Sequence, residues 1–529
     1  MAKNKKVKKS RRSTSMSGPD PVVEIQESLS SPKRRMGMSK AMLLAADYEQ
    51  QKNAKVAQLI YTQVMEQCPT DREPALRLFN SYRSSSHVTA ARLQAYRMLA
   101  MFRSDATIVA AVASFYNLRG ETEKALELLE QGLEDCPQEN RDILFRLFGY
   151  IYDHCGNREL AKEFYDKALS VNKYDVVSLY GLTKIVSKES REELLEMLLA
   201  AERSGTVDKN GQPYLHFALA YLYEKHDNDK YFHHLNIANK SVAVDSAQIL
   251  AHLSVYYSEA LKKLSAESVA AYFKPVAAAT EPAPIFIAAP PRSGTTLLEQ
   301  ILGAHPATRP VGESSAFTAA ITRVTRDLNS TALFWEWDDA TQRIVLPKLN
   351  HYFYSHELIK PNTGFAVVDK SIENVQQVGL LLLTWPQARV IRLKRHPLDV
   401  ILSCYHQFFA TGHDHLFDLE VLAQYYVYVQ KLMDLWQGLF PDNIMTLEYE
   451  ELVSDQERQT RRLLEFCQLP WDDACLNFQE HIGTVHTVSN HQVRQPLYKK
   501  SVAKWKPFYK QLQPAIKVLE RELGLLFEV

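Results

Sequence analysis

The sequence has no excess of charge of one sign and no long apolar run. Lys plus Arg and Asp plus Glu both number 62 among 529 residues, so the formal net charge is +0. A neutral chain gives no electrostatic reason to expect nucleic acid or an anionic membrane as a partner. No apolar stretch approaches the ~20 residues of a membrane span, and none follows the basic N terminus as in a secretory signal. The sequence therefore predicts a cytoplasmic protein with no nucleic-acid partner and no membrane span.

Cysteine is scarce, and no short metal-binding motif is present. The six cysteines form no C-x-x-C pair and are too scattered for a disulfide framework, which fits a reducing cytosol. The seven histidines from His396 to His491 include no H-E-x-x-H or comparable ligand spacing. We therefore predict no metal site.

Length and composition indicate more than one globular domain. A chain of 529 residues, 46% hydrophobic and 23% charged, is too long for a single core. Residues 1–37 are rich in Lys, Arg, Ser and Pro and poor in aromatic residues, which predicts a disordered basic tail. Helical patterns follow over 38–275. Strand patterns alternate with helical ones over 282–529, which favours a parallel sheet with helices on both faces.

A period near 34 residues runs through the helical region. A small residue recurs at spacings of 34, 34 and 36 residues, and an aromatic residue precedes three of these positions by nine residues. The small residues are Ala57, Ala91, Ala125 and Ala161, and the aromatic residues are Tyr48, Tyr116 and Tyr152. This pattern resembles tetratricopeptide repeats (TPR), whose paired helices stack because one repeat cannot bury its apolar face alone. A generic helical domain is the alternative.

The most informative stretch is IFIAAPPRSGTTLLEQILGAH, residues 285–305. A short apolar strand is stopped by two prolines, a polar loop follows, and leucines and isoleucines at helical spacing begin a helix. This arrangement directs backbone N–H groups and the positive end of a helix at one point, which suits an anion. The loop is not a Walker A motif, because no lysine follows Gly294. Arg292, Ser293, Thr295 and Thr296 supply the donors instead.

A second strand-to-helix junction has the same character. The apolar segment 388–393 leads into Arg395, and Pro397 suits the first position of a helix. Ser403 follows Arg395 by eight residues. Segments 364–368 and 443–447 are further candidate strands. The sequence thus predicts two anion sites in one sheet domain.

Together these motifs resemble those of sulfotransferases that use 3′-phosphoadenosine-5′-phosphosulfate (PAPS). The loop at 292–296 resembles their 5′-phosphosulfate loop, and the Arg395–Ser403 spacing resembles the pair that holds the 3′-phosphate. With the repeats, the layout is similar to bacterial TPR sulfotransferases related to the tyrosylprotein sulfotransferases. The resemblance implies these nucleotide-binding residues: Arg292, Ser293, Gly294, Thr295, Thr296, Arg395, Ser403, Tyr449, Ser489 and Lys504.

The resemblance also implies catalytic residues. Glu313 follows a strand-like connection and resembles the Gly-Glu segment that supplies the base in tyrosylprotein sulfotransferases. Sulfuryl transfer needs such a base for the acceptor hydroxyl, and it needs cations for the leaving phosphate. Lys370 and Arg292 suit the second role. The family also carries an arginine soon after this glutamate, whereas here none precedes Arg323, which puts recognition of acidic peptides in doubt.

The expected fold is an α-helical TPR solenoid followed by an α/β P-loop-like sulfotransferase domain with a parallel sheet. The implied function is transfer of a sulfuryl group from PAPS to an acceptor hydroxyl, leaving 3′,5′-phosphoadenosine (PAP), without a metal. Peptide tyrosine, a sugar and a lipid-linked glycan all remain open as acceptors. The repeat groove is expected to bind a protein partner or the acceptor itself. A P-loop nucleotide kinase or NTPase and an inactive TPR scaffold are the alternatives.

Overall fold

The backbone of the described residues divides into two compact units. One holds Met1–Asn117 and Glu123–Leu144, and the other holds Leu118–Thr122 and Phe145–Val529. The computed structural model describes residues 20–28, 30–51, 53–84, 87–187, 189–243, 246–272, 282–328, 330, 332–356, 359, 364–409, 416–480 and 501–528.

The described chain begins with a small hairpin. Strands β1 (Val22–Ile25) and β2 (Arg34–Gly37) pair antiparallel. Val23 and Ile25 are each 1% exposed, whereas the alternate residues Val22 and Glu24 face solvent. The prediction that residues 1–37 are disordered is therefore wrong for 20–28 and 30–37, because period-two alternation buries two apolar side chains within a polar composition. Residues 1–19 lie outside the described residues.

Helices then succeed one another up to residue 272. Among the described residues, no helix is both long and apolar enough to cross a membrane. The helices of this region are α1 (Met38–Gln50), α2 (Ala54–Gln67), α3 (Arg72–Ser84), α4 (Val88–Met101), α5 (Ala106–Asn117), α6 (Thr122–Asp135), α7 (Asp142–His154), α8 (Arg158–Val171), α9 (Val176–Ile185), α10 (Arg191–Ser204), α11 (Gln212–Tyr223), α12 (Asn228–Val242), α13 (Ala247–Lys263) and α14 (Ala266–Tyr272).

The repeat pattern is confirmed by the packing of these helices. The four recurring alanines lie on α2, α4, α6 and α8, and all are fully buried. Tyr165 of α8 shows how closely neighbouring helices pack here. Its ring lies so close to Gly149 of α7 and Gly181 of α9 that a Cβ at either glycine would approach it to 2.6 or 2.4 Å. Close approach of this kind lets neighbouring helices of a TPR-like array stack.

The α/β part contains a five-stranded sheet in which every pair is parallel. Its order is β4-β5-β3-β6-β7. The strands are β3 (Ile285–Ala288), β4 (Thr308–Gly312), β5 (Ala366–Asp369), β6 (Arg389–Lys394) and β7 (Ile444–Glu448). The helices are α15 (Thr295–Gly303), α16 (Ala316–Leu328), α17 (Asp339–Tyr354), α18 (Asn374–Thr384), α19 (Pro397–Tyr405), α20 (Leu419–Leu439), α21 (Tyr449–Ser454), α22 (Gln456–Phe466) and α23 (Gln513–Leu523).

Strand β3 is buried on both faces, as the apolar run predicts. Ile285 and Ile287 join a core cluster with α15, α21 and α22. Phe286 and Ala288 point the other way, into a second cluster with α16, α17, α18 and α20. A central parallel strand covered by helices on each face explains why this segment is uniformly apolar instead of alternating.

The second half of the helical array shares a core with the α/β part. Apolar side chains from α11 and α12 form one cluster with those of α19 and α23. The array members include Phe217, Tyr231, Phe232 and Leu235, and the α/β members include Leu398, Ile401, Leu402, Ile516 and Leu519. The compact units accordingly divide within the array. The sequence-based boundary at 275–282 falls mostly on residues outside the described ranges and stays a prediction.

Helix α12 also holds the C-terminal end of α19 by hydrogen bonds. Asn239 Nδ2 donates to the carbonyl oxygen of Tyr405 at 2.9 Å. His406, the next residue, shares a 2.8 Å hydrogen bond with Tyr231 Oη. These side chains supply partners at a helix end, where carbonyl groups lack intrahelical donors. Because α19 also carries Ser403, the array helps to fix this residue.

Candidate active site

The carboxyl ends of the five parallel strands gather most of the predicted site residues at one edge of the sheet. Such an edge is where open α/β sheets bind ligands. Arg292 follows β3, Glu313 follows β4 and Lys370 follows β5. Arg395 follows β6, and Tyr449 follows β7.

The loop after β3 has the backbone geometry of an anion cradle. Gly294 immediately precedes α15 and has φ 103°, a left-handed conformation that glycine adopts without strain. A Cβ at this position would lie 2.5 Å from Cδ2 of Tyr449, so the ring also requires glycine here. The first N–H groups of α15 have no partner within the helix. They therefore point, with the positive helix end, into the space beyond the loop.

Two buried donors at this edge have no hydrogen-bond partner among the described residues. One is Ser293 Oγ, and the other is Nε of Arg395. Buried polar groups are usually paired, because an unpaired one costs about 1–3 kcal/mol. Both groups are donors. An anionic ligand with oxygen acceptors would satisfy them.

The two predicted anion sites are in direct contact. Arg292 Nε donates to Ser403 Oγ at 3.0 Å, which connects the loop after β3 to α19. One terminal nitrogen of Arg395 donates to the carbonyl oxygen of Arg292 at 2.7 Å. The Arg395 guanidinium also lies over the Tyr449 ring, 4.6 Å from its centroid. The arrangement fixes two guanidinium groups beside one loop.

Glu313 and Lys370 form an ion pair at the ends of neighbouring strands. Lys370 Nζ lies 2.8 Å from Glu313 Oε1. The Lys370 side chain is fully buried, whereas that of Glu313 is 46% exposed. Burial lowers the pKa of Lys370, but the charges of Glu299 and Glu313 outweigh burial and raise it overall. Lys370 is therefore positively charged at neutral pH, and it holds a carboxylate that remains open to an incoming molecule.

A buried carboxyl that the sequence analysis did not single out supports this pair. Glu299 of α15 is 4% exposed, and its Oε1 accepts a 2.8 Å hydrogen bond from the Gly312 N–H. Burial raises the pKa of Glu299 to about 7, although the Lys370 charge and the Gly312 N–H act in the opposite direction. Glu299 thus links α15 to the end of β4, directly before Glu313.

The Glu299 carboxyl makes folding stability depend on pH. Its folded-state pKa lies above the unfolded value of about 4.3. The folded protein therefore binds the additional proton, and stability falls as pH rises from about 4.3 to 7. Glu299→Gln keeps the acceptor for Gly312 and removes the titration. We expect the loss in unfolding free energy between about pH 5 and pH 8 to shrink by up to roughly 3 kcal/mol.

Urea unfolding at the two pH values measures this difference. Glu465→Gln is the matched control, since Glu465 is exposed on α22, and it should reproduce the wild-type pH dependence. An unchanged pH dependence in Glu299→Gln would show that another group titrates with folding.

Asp369 at the end of β5 organises the adjoining loop. Its Oδ2 accepts a 2.5 Å hydrogen bond from Ser314 Oγ. Its Oδ1 accepts from the Ser371 N–H at 2.9 Å and from Asn374 Nδ2 at 3.0 Å. Asp369 is 1% exposed. This network fixes the residue after Glu313 and the residue after Lys370, so it sets the distance between the two members of the ion pair.

The C-terminal segment reaches the site through its backbone. Both oxygens of buried Asp399 accept backbone N–H groups, from Ala503 at 2.7 Å and from Trp505 at 3.0 Å. The Ser501 carbonyl oxygen accepts from Arg395 at 2.7 Å. Lys504 lies between these anchors, but its Nζ is 4.0 Å from Glu224 Oε1. Ser489 lies outside the described residues.

Of the remaining predicted residues, Thr295 and Thr296 begin α15 beside Gly294. The predicted residues that lie together at this edge are Arg292, Ser293, Gly294, Thr295, Thr296, Glu313, Lys370, Arg395, Ser403 and Tyr449. The sequence analysis missed Glu299, Asp369 and Asp399. Glu299 had a signal, because it is a charged residue beside the apolar positions Leu298, Ile301 and Leu302.

Known proteins share sequence similarity with the part of the chain that carries these residues. Residues 284–473 match the model of the sulfotransferase family. An uncharacterised protein of Aquifex aeolicus is 31% identical over 413 residues, which are 75% of this chain and 52% of the relative. Protein-tyrosine sulfotransferase A of Caenorhabditis elegans is 27% identical over 234 residues, 42% of this chain and 60% of that protein. The chain thus spans 52% and 60% of the length of these two curated relatives, which is less than two thirds of either.

Among solved structures, the sulfotransferase domain from the curacin biosynthetic pathway is similar at 19% identity and a TM-score of 0.32. The match covers 47% of this chain and 100% of that domain. The family match contains the loop after β3, the Glu313–Lys370 pair and the Arg395–Ser403 pair. Residues 284–473 are therefore a domain of the sulfotransferase family, similar to the protein-tyrosine sulfotransferases and preceded by a helical, TPR-like region.

Proposed function

We propose that this protein transfers a sulfuryl group from PAPS to an acceptor hydroxyl, with Glu313 as the general base. The observation that carries the proposal is the joining of three features at one sheet edge. These are the glycine loop at the start of α15, the guanidinium groups of Arg292 and Arg395 that are fixed beside this loop, and the Glu313–Lys370 ion pair. The first two features suit binding of the nucleotide, and the third suits removal of the acceptor proton and stabilisation of the departing phosphate.

The residues of this edge fit PAPS as a donor. Its phosphosulfate and its 3′-phosphate both offer oxygen acceptors, and Ser293 Oγ and Arg395 Nε are buried donors with no partner in the described part of the chain. The N–H groups at the start of α15 would meet the phosphosulfate. Arg395 and Ser403 would hold the 3′-phosphate, with charge-assisted hydrogen bonds from the guanidinium.

The ion pair suits Glu313 to the role of general base. Lys370 holds Oε1 on the buried side, and the exposed side of the carboxylate can meet an acceptor hydroxyl. During transfer the acceptor oxygen forms a bond to sulfur, the bond from sulfur to the phosphate oxygen breaks, and the hydroxyl proton passes to Glu313. Negative charge grows on the departing phosphate, where Arg292, Lys370 and the α15 N terminus stabilise it. PAP is the other product.

The acceptor class belongs to the same proposal. Similarity to the protein-tyrosine sulfotransferases favours a tyrosine side chain, whereas the absence of an arginine between Glu313 and Arg323 departs from acidic-peptide recognition. A protein partner for the TPR-like helices is supported by their repeat packing. A cytoplasmic location is supported by the six free cysteines. Incubation of the full chain with radiolabelled PAPS and a tyrosine peptide, without Mg²⁺, tests the reaction. Mg²⁺-dependent ATP turnover instead would favour the kinase or NTPase alternative.

Nucleotide affinity tests whether the protein binds the 3′-phosphate as well as the 5′-phosphate of the nucleotide. Wild type should bind PAP more tightly than adenosine 5′-phosphate, because only PAP carries the 3′-phosphate. Arg395→Ala should lose roughly 1.5–3 kcal/mol of that preference, the range for a hydrogen bond to a charged group. Titration calorimetry with both nucleotides measures it.

Arg458→Ala is the control for the calorimetry, because Arg458 is a surface arginine of α22 paired with Asp455. This variant should keep the wild-type preference for PAP. Equal binding of the two nucleotides by wild type would show that the 3′-phosphate site does not lie at Arg395 and Ser403.

A further inference from the structure

Three consecutive helices of the array bring a histidine, a second histidine and a glutamate together, away from the proposed active site. Glu202 lies on α10, His216 on α11 and His234 on α12. The two Nδ1 atoms are 3.0 Å apart, and Glu202 Oε1 is 3.9 Å from Nδ1 of His216. One ligand atom from each residue lies within 4.8 Å of the others.

The surroundings of the cluster bury the two imidazoles and hold them in place. His216 is 5% exposed and His234 is 6% exposed, whereas the Glu202 side chain is 38% exposed. Tyr223 stacks on His234, with ring centroids 5.6 Å apart and planes at 4°. Glu202 is the exposed member of the cluster, so an ion would enter from its side.

The distances are close to those of a metal centre. Zinc binds imidazole nitrogen at about 2.0–2.1 Å in tetrahedral sites, which places two nitrogen ligands about 3.3 Å apart. The observed 3.0 Å separation needs to widen only slightly. The Glu202 carboxylate must also come closer to the imidazoles. Its side chain is exposed, so rotation about its own bonds is enough to bring it there. Two imidazoles and a carboxylate form a recognised three-ligand set for zinc, with water as the fourth ligand.

We propose that Glu202, His216 and His234 bind a divalent transition-metal ion, of which zinc best suits the donor set. The ion takes the place of the shared proton between the two Nδ1 atoms and joins α10, α11 and α12. The prediction of no metal site depended on short motif spacing. These ligands are 14 and 18 residues apart, and only helix packing brings them together.

The site would act on the transferase part through α12. His234 lies three residues after Tyr231, which bonds His406, and five before Asn239, which bonds the carbonyl of Tyr405. Metal binding would therefore stabilise the helix that holds the end of α19. The proposed role is therefore structural, exerted through α12.

Cobalt binding to the full-length, metal-stripped protein tests the proposal, since tetrahedral Co²⁺ with nitrogen ligands absorbs visible light. We expect the absorption to saturate at one ion per chain and to be displaced by Zn²⁺. His216→Ala and His234→Ala should each abolish it. His233→Ala is the matched control, because His233 is an exposed neighbour on the same helix, and it should keep wild-type binding.

A milder variant guards against misfolding of the histidine mutants. Glu202→Gln should weaken Co²⁺ binding at least about tenfold, as loss of a charged ligand implies, whereas Glu196→Gln on the same helix should not. Zn²⁺ should raise the melting temperature of wild type by more than that of Glu202→Gln at the same Zn²⁺ concentration. No saturable absorption in wild type would overturn the proposal. Loss of binding in His233→Ala would also overturn the proposal, because the exposed His233 would then be a ligand.

Discussion

Glu313→Gln should reduce sulfuryl transfer by roughly 10²–10⁴, the usual contribution of a general base, and should leave PAP affinity nearly unchanged. The amide keeps the size and polarity of the side chain and can still accept from Lys370, but it cannot take the acceptor proton. Stability should change little, because the Glu313 side chain is 46% exposed and Lys370 keeps the charge of Glu299 beside it. Steady-state release of PAP, with calorimetry for PAP affinity, measures both quantities.

Acceptor acidity provides a second criterion for the base. A phenol with a low pKa needs less help in losing its proton, so a series of increasingly acidic phenols should progressively rescue Glu313→Gln. Glu465→Gln, the same exchange on the exposed face of α22, should keep the wild-type rate with every phenol. Turnover of Glu313→Gln at the wild-type rate would assign the base to another residue.

The local motifs were predictable because their signals lie in contiguous residues. The apolar runs at 285–289, 388–393 and 443–447 are strands within one or two residues of the expected bounds. Gly294 was assigned through the resemblance of its loop, whereas its left-handed φ and its approach to Tyr449 are reasons that only the structure reveals. A strand, a loop and a helix that follow one another in the sequence can be recognised from the order of residues alone.

The supporting residues could not be predicted, because their partners are distant in the sequence. Glu299 meets Lys370 only after β4 and β5 pair, and Asp369 bonds Ser314 across 55 residues. The core shared by α12 and α19 depends on Tyr231 and His406, which are 175 residues apart. In the N-terminal segment, the polar composition led to the prediction of disorder, although Val23 and Ile25 alternate with polar residues as in a strand. Local periodicity does not specify the contacts of Glu299, Asp369 or His406.

Lys370→Met should combine a large loss of activity with a large loss of stability. The ammonium is fully buried and faces Glu299, Glu313 and Asp369. Removing one member of a buried pair leaves an uncompensated charge, which costs about 3–5 kcal/mol. The loss should be greater at about pH 8 than at about pH 5, because Glu299, with its pKa of about 7, is protonated at the lower pH. Urea unfolding at both pH values measures it.

The double variant Glu299→Gln with Lys370→Met separates structure from catalysis. Glu299→Gln removes the buried carboxylate that Lys370 neutralises, so it should restore much of the stability that Lys370→Met loses at about pH 8. Turnover should remain low, because the charge that stabilises the departing phosphate is still missing, and acidic phenols should not rescue it. Lys517→Met on the exposed face of α23 should leave both properties unchanged. Recovery of turnover together with stability would instead make Lys370 a purely structural residue.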